Sequence, residues 1–275
     1  VPKVVEQKAE APRKAGKIRI GSASQEKDGG IKAIFYGGTG TGRTTCAATF
    51  PKPLLIIRPE AVEDGIKSVR NVAGVDVTEP LSEDVQLLDV IEMQQKEKRY
   101  KTLVLDSTTL YQDLVLKRVL GMKEVPTGFT WAMATQSEWG TIGIELKERL
   151  RELLKLAKDG TNIIFTGAER LINDKEGSQI MQPQMVIALT PATVGWLNVV
   201  CNCVLPFRKL RTFKEVTKKV GGKDLVTKEE KTSYVAMTGP DEFWTTKLTR
   251  TNGREVPLPQ YLEDPDYSKI AKLIG

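Results

Sequence analysis

The segment IKAIFYGGTGTGRTTCAATFPKP, residues 31–53, constrains this chain more than any other stretch. An apolar run, IKAIFYG, leads into a glycine-rich loop. Arg43 to Phe50 then predicts a helix, which Pro51 and Pro53 stop. Strand, glycine loop and helix in that order give the context required by the phosphate-binding pattern G-x-x-x-x-G-K-[ST]. Gly37 and Gly42 occupy its glycine positions and Thr44 its hydroxyl position, but Arg43 stands where the pattern has lysine. Backbone N–H groups along Gly37, Gly38, Thr39, Gly40, Thr41, Gly42, Arg43, Thr44 and Thr45 are expected to converge on the phosphates of a nucleoside triphosphate.

Arginine keeps the charge of lysine but replaces a compact ammonium with a longer, planar fork of donors. Backbone donors and Mg²⁺ are untouched by that change, so nucleotide binding is expected to survive. Hydrolysis is expected to be slow or absent, because small misplacements of the γ-phosphate cost large factors in rate. A natural arginine variant and a change made to trap the bound state fit the sequence equally.

Around the loop, short apolar runs (LLII, TLVLD, NIIFTG) alternate with helical stretches. The helices are expected near 63–69, from an N-cap at Ser82 to about Lys98, and over TIGIELKERLRELLKLAKDG, which stops at Gly160. That alternation predicts an α/β fold with a mostly parallel sheet covered on both faces. The pattern changes after about Cys203. VLPFRKLRTFKEVTKKVGGKDLV, SYVAMTG and EFWTTKLT predict antiparallel strands with a turn at Gly221–Gly222, extending one edge of the sheet. Residues 1–16 lack apolar periodicity and predict a flexible arm, with KIRIGSA a short strand after it. The expected organisation is a single domain over 17–275, with a core at about 31–206 and an antiparallel extension at about 207–275. The sequence opens at Val1 rather than at a methionine, which leaves room for an upstream piece.

Ligands in open α/β sheets sit beyond the carboxyl ends of the strands. Asp106 closes TLVLD, where a carboxylate can orient a magnesium-bound water beside the Thr44 hydroxyl. Its alternative role is an N-cap for a helix from Thr108. Glu60 lies just beyond LLII and can orient the attacking water, or be a solvated loop carboxylate. Thr166 ends NIIF and can sense the γ-phosphate, or be a buried strand threonine. With no histidine, triads built on imidazole are excluded. Three cysteines, two of them in a C-x-C pair, support neither a zinc site nor a disulfide framework and suit a reducing cytoplasm. A net charge of +6 suits a polyanionic partner and equally an ordinary basic protein.

FYGGTGTGRTTCAATFPKPLLI, Glu60, KTLVLDSTT, SEWGTIGIELKERLRELLK, NIIFTGAER and LTPATVGWLNVVCNCV occur in that order. In this ordered set the chain resembles the RecA-like ATPases of bacteriophages, the Sak-type single-strand annealing proteins grouped with phage AAA-domain nucleotide-binding proteins. The resemblance runs from about Ile31 to Cys203 and weakens beyond. It implies a RecA-like P-loop NTPase core that binds ATP and Mg²⁺ between the subunits of a homo-oligomer, ring or filament. It also implies single-stranded DNA along the axis, in a phage-infected bacterial cytoplasm. Glu60 matches the water-polarising glutamate and Asp106 the Walker B aspartate. Lys247 and Arg250, with Arg254 weaker, match basic fingers that reach a neighbour's γ-phosphate, and are otherwise solvated strand-edge charges. Ala168 stands where relatives often carry histidine, which puts a γ-phosphate-sensing relay there in doubt.

Two segments correspond to axis-facing loops: GMKEVPTGFTWAMATQ, with Lys123, Phe129 and Trp131, and AERLINDKEGSQIMQP, with Arg170 and Lys175. Cations there would neutralise DNA phosphates and aromatic faces would stack on unpaired bases. Packing under a loop is the alternative for the two aromatics. The expected function is an ATP-dependent recombination protein promoting annealing or strand exchange. The alternatives are a helicase- or packaging-type motor and a non-hydrolysing, nucleotide-bound scaffold.

Overall fold

A computed structural model describes residues 29–59, 63–124, 134–172, 175–176, 179–180, 183–220, 223–250 and 258–275. The side chains of 63–64, 175–176, 179–180, 214–220 and 223–229 are not described. The expected arm at 1–16 and the strand at KIRIGSA lie outside the described residues.

The first half of the chain runs β1 (Lys32–Gly37), α1 (Arg43–Ala47), β2 (Leu54–Ile57), α2 (Glu63–Lys67), β3 (Val75–Val77), α3 (Gln86–Glu97), β4 (Thr102–Leu105) and α4 (Thr108–Leu120). It continues with α5 (Gln136–Lys155), β5 (Asn162–Gly167), β6 (Glu169–Ile172), β7 (Lys175–Glu176), β8 (Gln179–Ile180), β9 (Gln184–Ile187) and α6 (Pro191–Val200). The last part is β10 (Cys203–Val220), β11 (Lys223–Met237), β12 (Lys247–Leu248), β13 (Tyr261–Glu263) and α7 (Tyr267–Ile274).

Nine strands form one sheet in the order β13-β11-β10-β1-β5-β4-β2-β3, with β12 paired to β10. From β10 to β3 every neighbouring pair is parallel. The strand bearing the glycine loop, β1, is thus separated by β5 from β4, the strand ending at Asp106. This is the RecA-like arrangement of a P-loop NTPase core.

Side-chain alternation along β1 divides the core into two layers. Ile34 and Tyr36 face a cluster with Leu87, Tyr111, Leu146, Leu150 and Leu197 from α3, α4, α5 and α6. Ala33 and Phe35 face the other way, onto Cys46, Phe50, Ile270 and Ile274 around α1 and α7. The same period places Cys203, Leu205 and Phe207 of β10 on the α1 side. α5 is the longest helix among the described residues, and its Leu146, Leu150 and Leu153 are fully buried at helical spacing.

Four sequence expectations differ in detail. The helix after the glycine loop ends at Ala47, before Pro51 is reached. α3 begins at Gln86 rather than Ser82, because the Gln86 side chain accepts hydrogen bonds from the Ser82 and Glu83 amides while i→i+3 bonds tighten the entry. α5 begins at Gln136, ahead of Thr141, behind a reciprocal cap between Thr135 and Glu138. Finally, the chain beyond Cys203 is not antiparallel from its start: β10 first lies parallel to β1 and only then pairs antiparallel with β11 around residues 221–222.

Candidate nucleotide-binding site

The loop geometry follows from β10 lying against β1. Gly37 pairs with Phe207, and a Cβ on Gly37 would stand 2.3 Å from the Phe207 carbonyl oxygen, with φ at 151°. Only glycine fits there. Gly40 and Gly42 also take positive φ, 69° and 91°, and Gly42 is the residue before α1. Gly42 gives α1 no side-chain cap, and the first helical amide bond inside α1 runs from Cys46 to the Gly42 carbonyl. The amides of Arg43, Thr44 and Thr45 therefore have no partner within the helix.

These residues open onto a cavity of about 770 Å³. Its walls include Thr39 to Cys46 from the loop, Asp106 from β4, Arg58 beyond β2, Tyr234 of β11 and Asp264 to Asp266 before α7. Gly37 and Gly38 are not part of that wall, and the Gly38 carbonyl accepts a 2.9 Å bond from the Thr41 hydroxyl.

Asp106 sits at the centre of a polar cluster. The Thr44 hydroxyl donates to Asp106 Oδ2 at 2.8 Å, and the Thr166 hydroxyl donates to Oδ1. Ser107, not Asp106, caps α4, accepting from the Leu110 amide. Both oxygens of Asp106 are therefore directed across the sheet toward Thr44 and Thr166. Thr166 is buried on β5 and acts on Asp106 directly. A hydroxyl and a carboxylate side by side are oxygen donors of the kind a magnesium ion takes, so the pair fits Mg²⁺. No cluster of three or more metal-ligating side chains occurs among the described residues.

Arg43 lines the cavity, and its side chain reaches from the loop to the end of β5. Its Nη1 donates to the Gly167 carbonyl at the end of β5. Burial pushes its guanidinium below the ordinary arginine value, and the charges of Asp106 and Glu169 oppose that shift. Glu169 is a site residue the sequence reading did not single out. Its Oε1 lies 3.5 Å from where a Cβ on Gly38 would stand. Its position just past the end of β5, in NIIFTGAER, was the available signal.

The remaining sequence candidates are dispersed. Glu60, Phe129, Trp131 and Arg254 lie outside the described residues. Lys123 is exposed just beyond α4. Arg170 is half-buried on β6 opposite Val186, and Lys175 belongs to β7, which pairs antiparallel with β8. Lys247 Nζ donates to the carbonyls of Asn198 and Val199 at the end of α6. Its strand pairs with Cys203 and Val204, at the end of the sheet away from the glycine loop. Arg250 follows on the same segment. Within one chain, neither joins Thr44 and Asp106.

The sheet order, the glycine loop and the Thr44–Asp106 pair define a P-loop NTPase fold with a RecA-like α/β core. The family model described as an AAA domain matches residues 29–247. The chain belongs to that AAA domain family. Among solved structures it is similar to a KaiC-like protein from the hyperthermophilic archaeon Pyrococcus horikoshii, at 14% identity and a TM-score of 0.38, over 75% of this chain and 85% of that one. No curated protein matches the chain. No helix among the described residues is long and apolar enough to cross a membrane.

Proposed function

We propose that this chain, as one ATPase domain over 17–275, binds Mg-ATP in the cavity beneath the glycine loop. It then assembles as a homo-oligomer on single-stranded DNA and promotes annealing or strand exchange. The observation that carries the nucleotide part is the convergence of Thr44 and Thr166 on Asp106 at the wall of that cavity. Thr44 and Asp106 would hold the magnesium ion, which neutralises phosphate charge when bound. The loop amides bind and orient the phosphates, and Thr166 fixes the Asp106 carboxylate. Glu60, just beyond β2, would orient the attacking water. The DNA and assembly parts rest on the resemblance to phage annealing proteins, with the net charge of +6 in support. Lys247 and Arg250 would act on a neighbour's nucleotide, and Lys123, Phe129, Trp131, Arg170 and Lys175 on DNA.

Hydrolysis is slow in this reading, because the Arg43 guanidinium is engaged by the Gly167 carbonyl. The same contact favours a second reading, a scaffold that uses nucleotide only to set its subunit interface. ATP turnover with and without single-stranded DNA, alongside sedimentation, separates the readings for this chain and for Arg43→Lys. The recombination reading expects DNA-stimulated turnover, raised by the lysine at least about tenfold. ATP-dependent assembly without turnover in either protein identifies the scaffold. Unwinding of duplex DNA identifies a motor.

A further inference from the structure

We propose that Lys209 of β10 supplies the ammonium that the glycine loop lacks, contacting the phosphates of the bound nucleotide from within the same chain. This rests on the nucleotide-binding reading above. The pairing of Phe207 with Gly37 puts β10 directly beside the strand that feeds the loop. Cys203, Leu205 and Phe207 all face α1, so the two-residue period sends Lys209 to that face as well, one step past the last core residue. Its Nζ lies 3.1 Å from where a Cβ on Gly40 would stand, at the middle of the loop.

The ammonium is placed but not spent. Lys209 is exposed, and among the described residues its Nζ has no carboxylate or hydrogen-bond partner. It stands 6.0 Å from the ring centroid of Tyr234, the residue opposite it on β11, and that ring lines the cavity and lies 3.7 Å from where a Cβ on Gly42 would stand. The neighbouring arginine on the other face of β10, Arg208, is instead stacked over Trp244 at 3.9 Å. Arg43 is likewise engaged, by a carbonyl on β5. A compact ammonium on a flexible stem is the group that takes a phosphate as a point charge, and Lys209 is the lysine the fold delivers to Gly40.

The test compares Mg-ATP affinity by calorimetry for the unaltered chain, Lys209→Gln and Lys231→Gln, the last an exposed lysine on the same ribbon. Lys209→Gln is expected to weaken binding about tenfold or more, as loss of a charge-assisted bond to phosphate does, and Lys231→Gln to leave it unchanged. In the unaltered chain, saturating Mg-ATP is expected to slow acetylation of Lys209, read by mass spectrometry, and not that of Lys231. No binding by the unaltered chain overturns the nucleotide reading and this inference with it. Normal binding by Lys209→Gln, or equal acetylation of Lys209 with and without nucleotide, overturns the Lys209 assignment alone.

Discussion

Thr44 lies in the first turn of α1 and Asp106 just past the end of β4, yet the Thr44 hydroxyl donates to Asp106 Oδ2 at 2.8 Å. The contact exists because β5 is the single strand between β1 and β4 and because Ser107 takes over the capping of α4. Asp106→Asn keeps the shape and removes the charge. It is expected to weaken nucleotide binding about tenfold when magnesium is present and to change it little in EDTA. Calorimetry in the two buffers checks this, and an equal loss in both would assign Asp106 to folding alone.

Gly37 meets the Phe207 carbonyl so closely that a methyl group has no room, at a φ of 151°. Gly37→Ala is expected to cost about 3 kcal/mol of stability from strain and overpacking together. A guanidinium chloride titration reads the loss as a lower midpoint with unchanged slope. A midpoint equal to that of the parent chain would contradict the close approach of β10 and β1.

Asp84 is fully buried, with Arg118 Nε at 2.7 Å and Arg149 Nε at 3.6 Å, while its backbone carbonyl accepts from the Tyr111 hydroxyl at 2.7 Å. This cluster ties the entry of α3 to α4 and α5, away from the nucleotide cavity. Asp84→Asn leaves the largely buried Arg149 without its carboxylate, whereas Arg118 keeps Glu145 at 3.2 Å, so the variant is expected to destabilise the fold by about 2 kcal/mol. Mg-ATP affinity, measured below the melting transition, should be unchanged.

Cys46, Cys201 and Cys203 are all buried thiols. Burial pushes the Cys201 thiol from its ordinary 9.0 up to about 12, and raises Cys46 and Cys203 as well. A raised folded-state pKa stabilises fully below the unfolded value and is lost as pH climbs toward the folded one. Above about pH 9 the unfolded chain releases these protons while the native chain keeps them, so stability falls by about 1.4 kcal/mol per pH unit for each thiol. Denaturant midpoints should hold between pH 7 and 8 and drop by about pH 10. The native thiols should also resist an aromatic disulfide reagent at neutral pH until the chain unfolds.

Much of the candidate site was legible because its signals are local. The glycine loop lies between an apolar run and a helix start, and Asp106 and Thr166 each end an apolar run, so the strand-end rule reaches them without knowledge of pairing. Glu169 was within reach of the same rule. The start of α3 was misread because Ser82 has capping chemistry, whereas the Gln86 side chain and tight turns set the actual boundary.

What the sequence alone determined is the α/β character, the glycine loop and the identity of the residues ending β1, β4 and β5. Periods of two and 3.6, and the conformational freedom of glycine, operate within a few neighbouring residues. Tertiary structure decided which groups meet across the sheet. The register of Phe207 against Gly37 brings Lys209 to Gly40 and Tyr234 to Gly42, and the end of β5 draws Arg43 to the Gly167 carbonyl. Strand register is set by burying whole faces of distant segments together, and one residue of slip would have turned Lys209 to the opposite face.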